Sequence, residues 1–209
     1  MTYTPITPGS LDWDVPVNAA FTSQDGRITS LENYNGFQPT ELGALTWSHD
    51  PATSAGQSGT TAGVLHMIRL DAPVDAVATN LVVAIQTAGA TLTAGQNFGA
   101  LYNSTGTRIA VSADQSAAFT GTGLITIPFT SPVQLTAGTY YAALLTNGTT
   151  QPMFMRTVGA TALASAINFG LTVSNARWAN SGTSQTSTPA SVAMSGRTFG
   201  ASGFWAALT

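Results

Sequence analysis

The stretch that decides the fold reads Val64-Leu65-His66-Met67-Ile68-Arg69-Leu70. Every second residue from Val64 to Leu70 lies on one face, and the residues between them lie on the other. This repeat is the geometry of a β-strand, in which successive side chains alternate between the two faces of a sheet. We therefore predict that the chain after Gly36 is built mainly from strands.

Similar patterns recur along the chain, separated by turn-forming clusters such as residues 103–106 and 146–148. The predicted strands are residues 63–70, 77–86, 97–103, 107–112, 123–129, 139–146, 152–157, 165–173 and 203–208. Short strands at this spacing predict a mainly β fold, namely an antiparallel β-sandwich, jelly-roll-like, preceded by an extended arm and a short N-terminal helix. Local periodicity does not encode the strand order, so an immunoglobulin-like sandwich fits equally well.

Three further features refine this expectation. Pro128 predicts that its strand lies at a sheet edge or a bulge, because proline has no N–H to donate. Residues 81–85 and 140–145 are apolar throughout, which indicates strands covered on both faces, with a neighbouring subunit as one candidate cover. Residues 48–62 and 180–196 are rich in Ser, Thr, Gly and Ala, and we predict that they form long loops that are mobile in an isolated chain.

The first 36 residues form a predicted docking region, 1–36, which precedes the sandwich domain, 37–209. Pro5 and Pro8 favour an extended arm, and a helix follows in which Pro16 occupies the first turn. Apolar residues at alternating spacings of four and three give this helix a coiled-coil seam, although a helix packed on its own domain explains the spacing equally well. The residues predicted to mediate oligomerisation and docking are Trp13, Val17, Phe21, Gln24, Ile28 and Leu31.

The composition excludes several classes of function. Charged residues make up 7% of the chain, all cations are arginines, and the formal net charge is −3. Nucleic-acid binding needs clustered Lys and Arg, so we expect no nucleic-acid partner. No apolar run approaches the roughly 18 residues that cross a bilayer, and the first residues lack the pattern of a signal peptide, so we expect cytoplasmic synthesis and no membrane insertion. The lack of cysteine excludes disulfides and thiolate chemistry.

The sequence offers little for catalysis. No Gly-x-Ser-x-Gly motif occurs, and the acidic residues form no convincing pair for glycoside hydrolysis. His49 stands beside Asp50, where a metal or acid/base role competes with a loop-ordering hydrogen bond, which we favour. His66 fits a core or interface position better than a catalytic one. We expect no enzymatic activity, no metal and no other cofactor.

Tryptophans remain as candidates for ligand contact, because an indole ring offers a flat apolar face together with a polar N–H. Trp47 and Trp178 border the two long loops and are the possible glycan-binding residues. Packing or subunit contact is the alternative for both. Trp205 alternates with Ala207 in the last predicted strand, so we expect it to be buried.

The segment Pro8-Gly9-Ser10-Leu11-Asp12-Trp13-Asp14-Val15-Pro16-Val17-Asn18, followed by Asp25-Gly26-Arg27-Ile28, resembles the N-terminal segment of many actinobacteriophage minor tail and head-fibre proteins. Residues 99–145 look like the β-sandwich modules of the same proteins. The resemblance implies a structural protein on the exterior of a tailed bacteriophage, with attachment through the N-terminal segment and frequent trimers. The chain has no long shaft, which favours capsid decoration or a small tail-tip subunit over a tail fibre.

Two main hypotheses follow. The first is a non-enzymatic virion structural protein, a capsid decoration, head-fibre or minor tail subunit. It would assemble as a homo-oligomer, expected to be a trimer, and contact major capsid or tail proteins with its sandwich exposed. The second is a carbohydrate-binding module of a tail fibre or tip that recognises host surface glycans. A hydrolase, which would rest on His49, Asp50 and scattered carboxylates, ranks last.

Overall fold

The structure is a computed structural model that describes residues 37–157 and 167–209. Both ranges fall within one unit, Phe37–Thr209. The arm, the N-terminal helix and all of the predicted docking residues lie outside the described residues. Their prediction, like the division of the chain at residue 36, stays a prediction.

The described chain is mainly β, and its large sheets form the predicted antiparallel β-sandwich. The strands are β1 Thr46–Trp47, β2 Ser54–Gly59, β3 Leu65–Ala72, β4 Ala76–Thr87, β5 Ala90–Leu92, β6 Phe98–Asn103, β7 Arg108–Val111, β8 Gly123–Leu135, β9 Gly138–Leu145, β10 Gly148–Thr150, β11 Met153–Thr157, β12 Trp178–Ser181, β13 Thr198–Phe199 and β14 Ala206–Leu208. Short 3-10 turns occur at Pro39–Leu42, Pro51–Thr53, Ala118–Thr120 and Met194–Gly196. Strands β5 and β10 form a separate small ribbon.

Sheet 1 has the strand order β13-β12-β3-β9-β6-β7, and every neighbouring pair is antiparallel. At its centre β3 and β9 pair without interruption, from Leu65 opposite Leu145 to Ala72 opposite Gly138. The alternation predicted for this stretch is confirmed, because Ile68 belongs to the core between the sheets whereas neighbouring residues of β3 belong to a cluster on the outer face.

Sheet 2 has the order β1-β14-β4-β11-β2, with β8 on the opposite edge of β4. The long strand β4 pairs with two strands end to end along one edge: Val83 lies opposite Ala206 of β14, and Ile85 lies opposite Phe154 of β11. Pro128 of β8 lies next to a register shift in the β4–β8 ladder. The predicted edge or bulge position of Pro128 is therefore confirmed.

The main core fills the space between the sheets. Its aliphatic members include Ile68, Leu70, Leu101 and Leu144 from sheet 1 and Leu81, Val83, Ile85 and Ile127 from sheet 2. Phe154 packs edge-on against Phe119 and Phe204, with ring centroids 5.7 and 5.8 Å apart. Each large apolar side chain that is fully buried here contributes about 1.5–3 kcal/mol to folding.

The outer face of sheet 1 is covered by the chain itself. Tyr102 and Tyr141 lie on this face and are fully buried in a cluster that includes Met194. The predicted burial of residues 140–145 on both faces is confirmed. The cover comes from residues 182–197 of the same chain, so a neighbouring subunit is not needed at this strand.

Backbone hydrogen bonds hold this covering segment against the sheet. The Val192 N–H donates to the Gly106 carbonyl at 2.8 Å, and the Arg108 N–H donates to the Ala190 carbonyl at 2.9 Å. Gly106 has a φ of +87°, and a Cβ atom there would clash with the Val192 carbonyl oxygen. Only glycine accepts both the backbone conformation and this close approach.

The first predicted long loop, residues 48–62, contains strand β2, so its interpretation as an irregular connection is wrong. In the second, residues 180–196, only Asn180 and Ser181 belong to a strand, the end of β12, and residues 182–196 form an irregular connection with one 3-10 turn. Strand β2 has no β-branched or aromatic residue, and its place in sheet 2 comes from antiparallel pairing with β11.

The predicted strand at residues 165–173 is wrong in its described part. Residues 167–173 form turns, and Phe169 is 90% exposed, so the apolar alternation there does not reflect burial. Asn168 accepts a hydrogen bond from the Arg177 N–H at 2.8 Å, and Gly170 has a φ of +77°. An asparagine that competes for backbone donors and a glycine at positive φ both favour a turn.

Candidate functional site

A groove of about 320 Å³ opens where β1 of sheet 2 approaches β3 of sheet 1. We call it the arginine groove, and its lining residues are Trp47, Ser48, Arg69, Asp71, Leu171 and Arg177. The lining combines aromatic and aliphatic side chains with two guanidinium groups and one carboxylate. This concentration of charge makes the groove the candidate site, because charged residues are only 7% of the chain.

Strand β1 places Trp47 beside the groove. Thr46 and Trp47 pair with Leu208 and Ala207 of β14, and the Thr46 hydroxyl donates to the Asp71 carbonyl at 2.8 Å. This hydrogen bond links sheet 2 to the end of β3. Trp47 is half-buried, and of the two tryptophans predicted to contact glycans it is the one that lines an open groove.

Arg69 and Asp71 are two residues apart on β3 and therefore share a face. Arg69 Nε donates to both Asp71 carboxylate oxygens at 3.1 Å, and Nη2 donates to the Thr139 hydroxyl at 3.3 Å. The Thr139 hydroxyl in turn donates to Asp71 at 2.6 Å. The Asp71 side chain is 60% exposed, so the ion pair adds little stability and the carboxylate stays accessible.

Arg177 stands just before β12, with its guanidinium carbon 4.4 Å from the centroid of the Trp178 ring. Its backbone carbonyl accepts a hydrogen bond from the Arg69 N–H at 2.8 Å, which brings the two arginines together. Burial, followed by the positive charge of Arg69, lowers the pKa of Arg177. Within residues 37–157 and 167–209 this guanidinium donates no hydrogen bond to protein, and Arg177 is exposed.

Trp178 lies in the core rather than on an open surface. It is 3% exposed, and its Nε1 donates to the Phe204 carbonyl at 3.0 Å. A ring in this position offers no open face to a sugar, so Trp178 is not part of the proposed site. The packing role that the sequence left as the alternative fits this position.

His49 lies at the start of the turn that follows β1. Its Nδ1 is 3.0 Å from the Ser48 hydroxyl, and its Nε2 is 2.9 Å from the Ser54 hydroxyl. The Asp50 carboxylate accepts the backbone N–H two residues on, at 2.8 Å, and does not orient the ring. Burial, followed by the charge of Arg177, lowers the pKa of His49 to about 4. The neutral ring therefore joins two hydroxyl groups across the turn, as the loop-ordering interpretation predicts.

His66 is buried between the sheets. Its Nε2 accepts a hydrogen bond from the Thr61 N–H at 3.0 Å, and its ring packs edge-on against Phe204 at 5.4 Å between centroids. Burial lowers the pKa of His66 to about 4. The predicted core position of His66 is confirmed.

A second surface, which we call the apolar depression, lies on the outer face of sheet 2. It encloses about 200 Å³ and is lined by Leu42, Ala44, Trp47, Pro51, Val82, Leu124, Trp205, Ala207 and Thr209, none of which has a charged side chain. Leu124 is 71% exposed and Leu42 is 54% exposed. Trp205 is buried and shares a cluster with Ala207, as their predicted alternation requires.

Comparison with known proteins adds no relative to this description: the chain matches no protein-family model and no curated protein. In the part of the chain that the structure describes, no three His, Asp or Glu side chains are grouped to hold a metal ion. No helix in that same part is long and apolar enough to cross a bilayer. The function is therefore argued from the arginine groove and the apolar depression.

Proposed function

We propose that the chain is a non-enzymatic structural subunit of a tailed bacteriophage particle, which assembles as a homo-oligomer through the apolar depression. The observation that carries this proposal is the exposure of Leu42 and Leu124 around a depression whose lining side chains are all uncharged. Soluble proteins rarely leave such apolar surface open unless it binds a partner. The resemblance of the N-terminal segment to phage tail and head-fibre proteins supports the choice of particle.

A second copy of this chain is the partner that best fits the depression. Interfaces between obligate homo-oligomer subunits are more apolar than transient interfaces, and they are depleted in charge. The lining of the depression has both properties. In this arrangement a trimer buries the depression, while the N-terminal segment attaches the subunit to capsid or tail proteins.

Native mass spectrometry of the full chain tests the assembly. We expect a trimer for the wild type and dissociation for Leu124→Asp, because a carboxylate in an apolar interface pays a large desolvation cost. Phe169→Asp is the matched control, since Phe169 is 90% exposed and lies outside the depression. A wild-type monomer at high concentration, or equal behaviour of the two variants, contradicts the proposal.

Attachment through the N-terminal segment is tested in the phage. Phe21→Asp combined with Ile28→Asp disrupts the predicted seam, and we expect the protein to be lost from purified particles. Ser23→Asp changes the same segment outside the seam and is expected to be retained. Equal recovery of both proteins with particles would remove the docking role.

Glycan binding is the second candidate function, and the arginine groove is the observation that favours it. The half-buried Trp47 lies beside exposed polar groups, a combination that suits a sugar with one apolar and one hydroxylated face. A glycan array with the wild type and Trp47→Ala tests this function. We expect binding that the substitution abolishes, and a silent array counts against it.

A further inference from the structure

Positive charge in the arginine groove exceeds negative charge. The chain has no lysine and six arginines, and two of these, Arg69 and Arg177, line the same groove. Among the described residues of the lining, Asp71 is the one that carries a carboxylate, and both of its oxygens already accept hydrogen bonds from Arg69. The groove therefore retains one positive charge that the described residues do not neutralise.

The Arg177 guanidinium, which carries this remaining charge, contacts an aromatic ring and donates no hydrogen bond to the described residues. The guanidinium of Arg177 lies over the Trp178 ring at 4.4 Å, and Trp178 is fixed in the core by its hydrogen bond to the Phe204 carbonyl. A guanidinium held over an aromatic ring can keep its N–H groups available to another partner. A planar guanidinium with available N–H groups can donate two parallel hydrogen bonds to a carboxylate.

The rest of the lining has the groups that a saccharide needs. The exposed Asp71 carboxylate has lone pairs left to accept sugar hydroxyls, and Trp47 and Leu171 offer apolar surface to a ring face. The volume of about 320 Å³ holds a small ligand such as one sugar ring. An inorganic anion would bind Arg177 but would make no favourable contact with Asp71, Trp47 or Leu171.

We infer that the arginine groove binds an acidic saccharide whose carboxylate pairs with Arg177. The sugar hydroxyls bond to Asp71, and the apolar face of the ring lies against Trp47. This inference rests on the second proposed function, glycan binding, and specifies the class of ligand.

Titration of the full-length protein with sodium glucuronate and with glucose, followed by NMR, tests the inference. We expect glucuronate to bind at least about tenfold more tightly than glucose, because a charge-assisted bidentate pair supplies the difference. Arg177→Gln should remove this preference. Arg177→Lys, which keeps the charge and loses the planar fork, should retain only part of it.

Arg156→Gln is the matched control, since Arg156 lies on β11 outside the groove lining, and its preference for glucuronate should equal that of the wild type. Equal wild-type affinities for glucuronate and glucose, an unchanged preference in Arg177→Gln, or equally tight binding of phosphate each overturns the inference. If the protein binds neutral glycans on the array and shows no preference for glucuronate, the acidic-saccharide inference is wrong and glycan binding is still supported. If it binds no saccharide at all, both the inference and the proposed glycan binding are wrong.

Discussion

The guanidinium carbon of Arg197, the last residue of the segment that covers sheet 1, lies 4.4 Å from the centroid of the Tyr141 ring. Arg197 is 3% exposed, its Nε donates to the Met194 carbonyl at 3.3 Å, and its Nη2 has no hydrogen-bond partner in the described structure. Burial lowers the pKa of Arg197. The described residues place no carboxylate against this cation, so the tyrosine ring and the Met194 carbonyl are the contacts that compensate its charge.

A double-mutant cycle measures this compensation. We expect Tyr141→Leu to cost about 1–2 kcal/mol more in the wild type than in Arg197→Met, because the ring stabilises the buried cation. Urea denaturation of the four proteins gives the coupling. Tyr102→Leu, which changes a second buried tyrosine of the same face, should cost the same in both backgrounds. Additive losses for Tyr141 would mean that the ring acts by packing alone.

The contact between Gly106 and Val192 predicts a large effect of a single methyl group. Gly106→Ala should destabilise the fold by about 3 kcal/mol, because it combines strain at positive φ with a clash that lifts the covering segment. Gly95 is the control, since its φ is +75° and nothing lies near its added Cβ. Gly95→Ala should cost only about 1 kcal/mol. If Gly106→Ala and Gly95→Ala lower the melting temperature equally, the covering segment moves to accommodate the added methyl group at no cost in stability.

The low pKa of His66 predicts loss of stability in acid. The folded pKa of about 4 lies below the ordinary value of 6.5, so the unfolded chain binds the proton first. The contribution of His66 is complete above pH 6.5 and is lost as the pH falls towards 4. Between about pH 7 and pH 4.5 the loss amounts to about 2.5 kcal/mol.

His66→Gln tests this pH dependence, because glutamine keeps an acceptor for the Thr61 N–H and does not titrate. Urea denaturation at both pH values should show a flatter dependence for the variant, and its stability at neutral pH is the internal reference. His49 also has a folded pKa of about 4 and adds a loss of the same sign that the variant retains. Identical slopes for variant and wild type would contradict the burial of a neutral ring at residue 66.

The two tryptophans should differ sharply in stability. Trp178→Ala removes a core ring and its hydrogen bond to the Phe204 carbonyl, so we expect a loss of about 3–5 kcal/mol. Trp47→Ala removes a half-buried ring from a surface groove and should cost less than half of that value. Chemical denaturation compares them directly. A larger loss for Trp47 would place that ring, and not Trp178, at the centre of the packing.

The sequence predicted the sandwich well where burial and alternation coincide. On β3 and β9 every second side chain enters the core, so the apolar pattern and the pairing register describe the same surface. On β2 strand pairing occurs without apolar alternation, because its Ser, Gly, Ala and Gln residues do not alternate between apolar and polar. Phe169 shows the opposite case, an apolar residue in an alternating run that lies exposed on a turn.

The candidate site was only partly predictable for a similar reason. Trp47 was predicted as a ligand-contact residue because it borders a long polar segment and its ring offers a flat apolar face. Arg177 was missed because its proximity to Arg69 depends on the pairing of β3 with β12, which joins distant parts of the chain. Arg69 and Asp71 were missed although they lie two residues apart on β3. The available signal was the scarcity of charge, which makes an Arg-x-Asp pair on one strand face worth singling out.

The end-to-end sharing of one β4 edge by β14 and β11 has a consequence for how the protein is made. During translation β4 leaves the ribosome long before β14. The edge of β4 that pairs with β14 therefore has unpaired backbone N–H and C=O groups until residues 206–208 emerge. On a polysome, where nascent chains are neighbours, that waiting edge is the place where one chain is most exposed to pairing with the wrong copy.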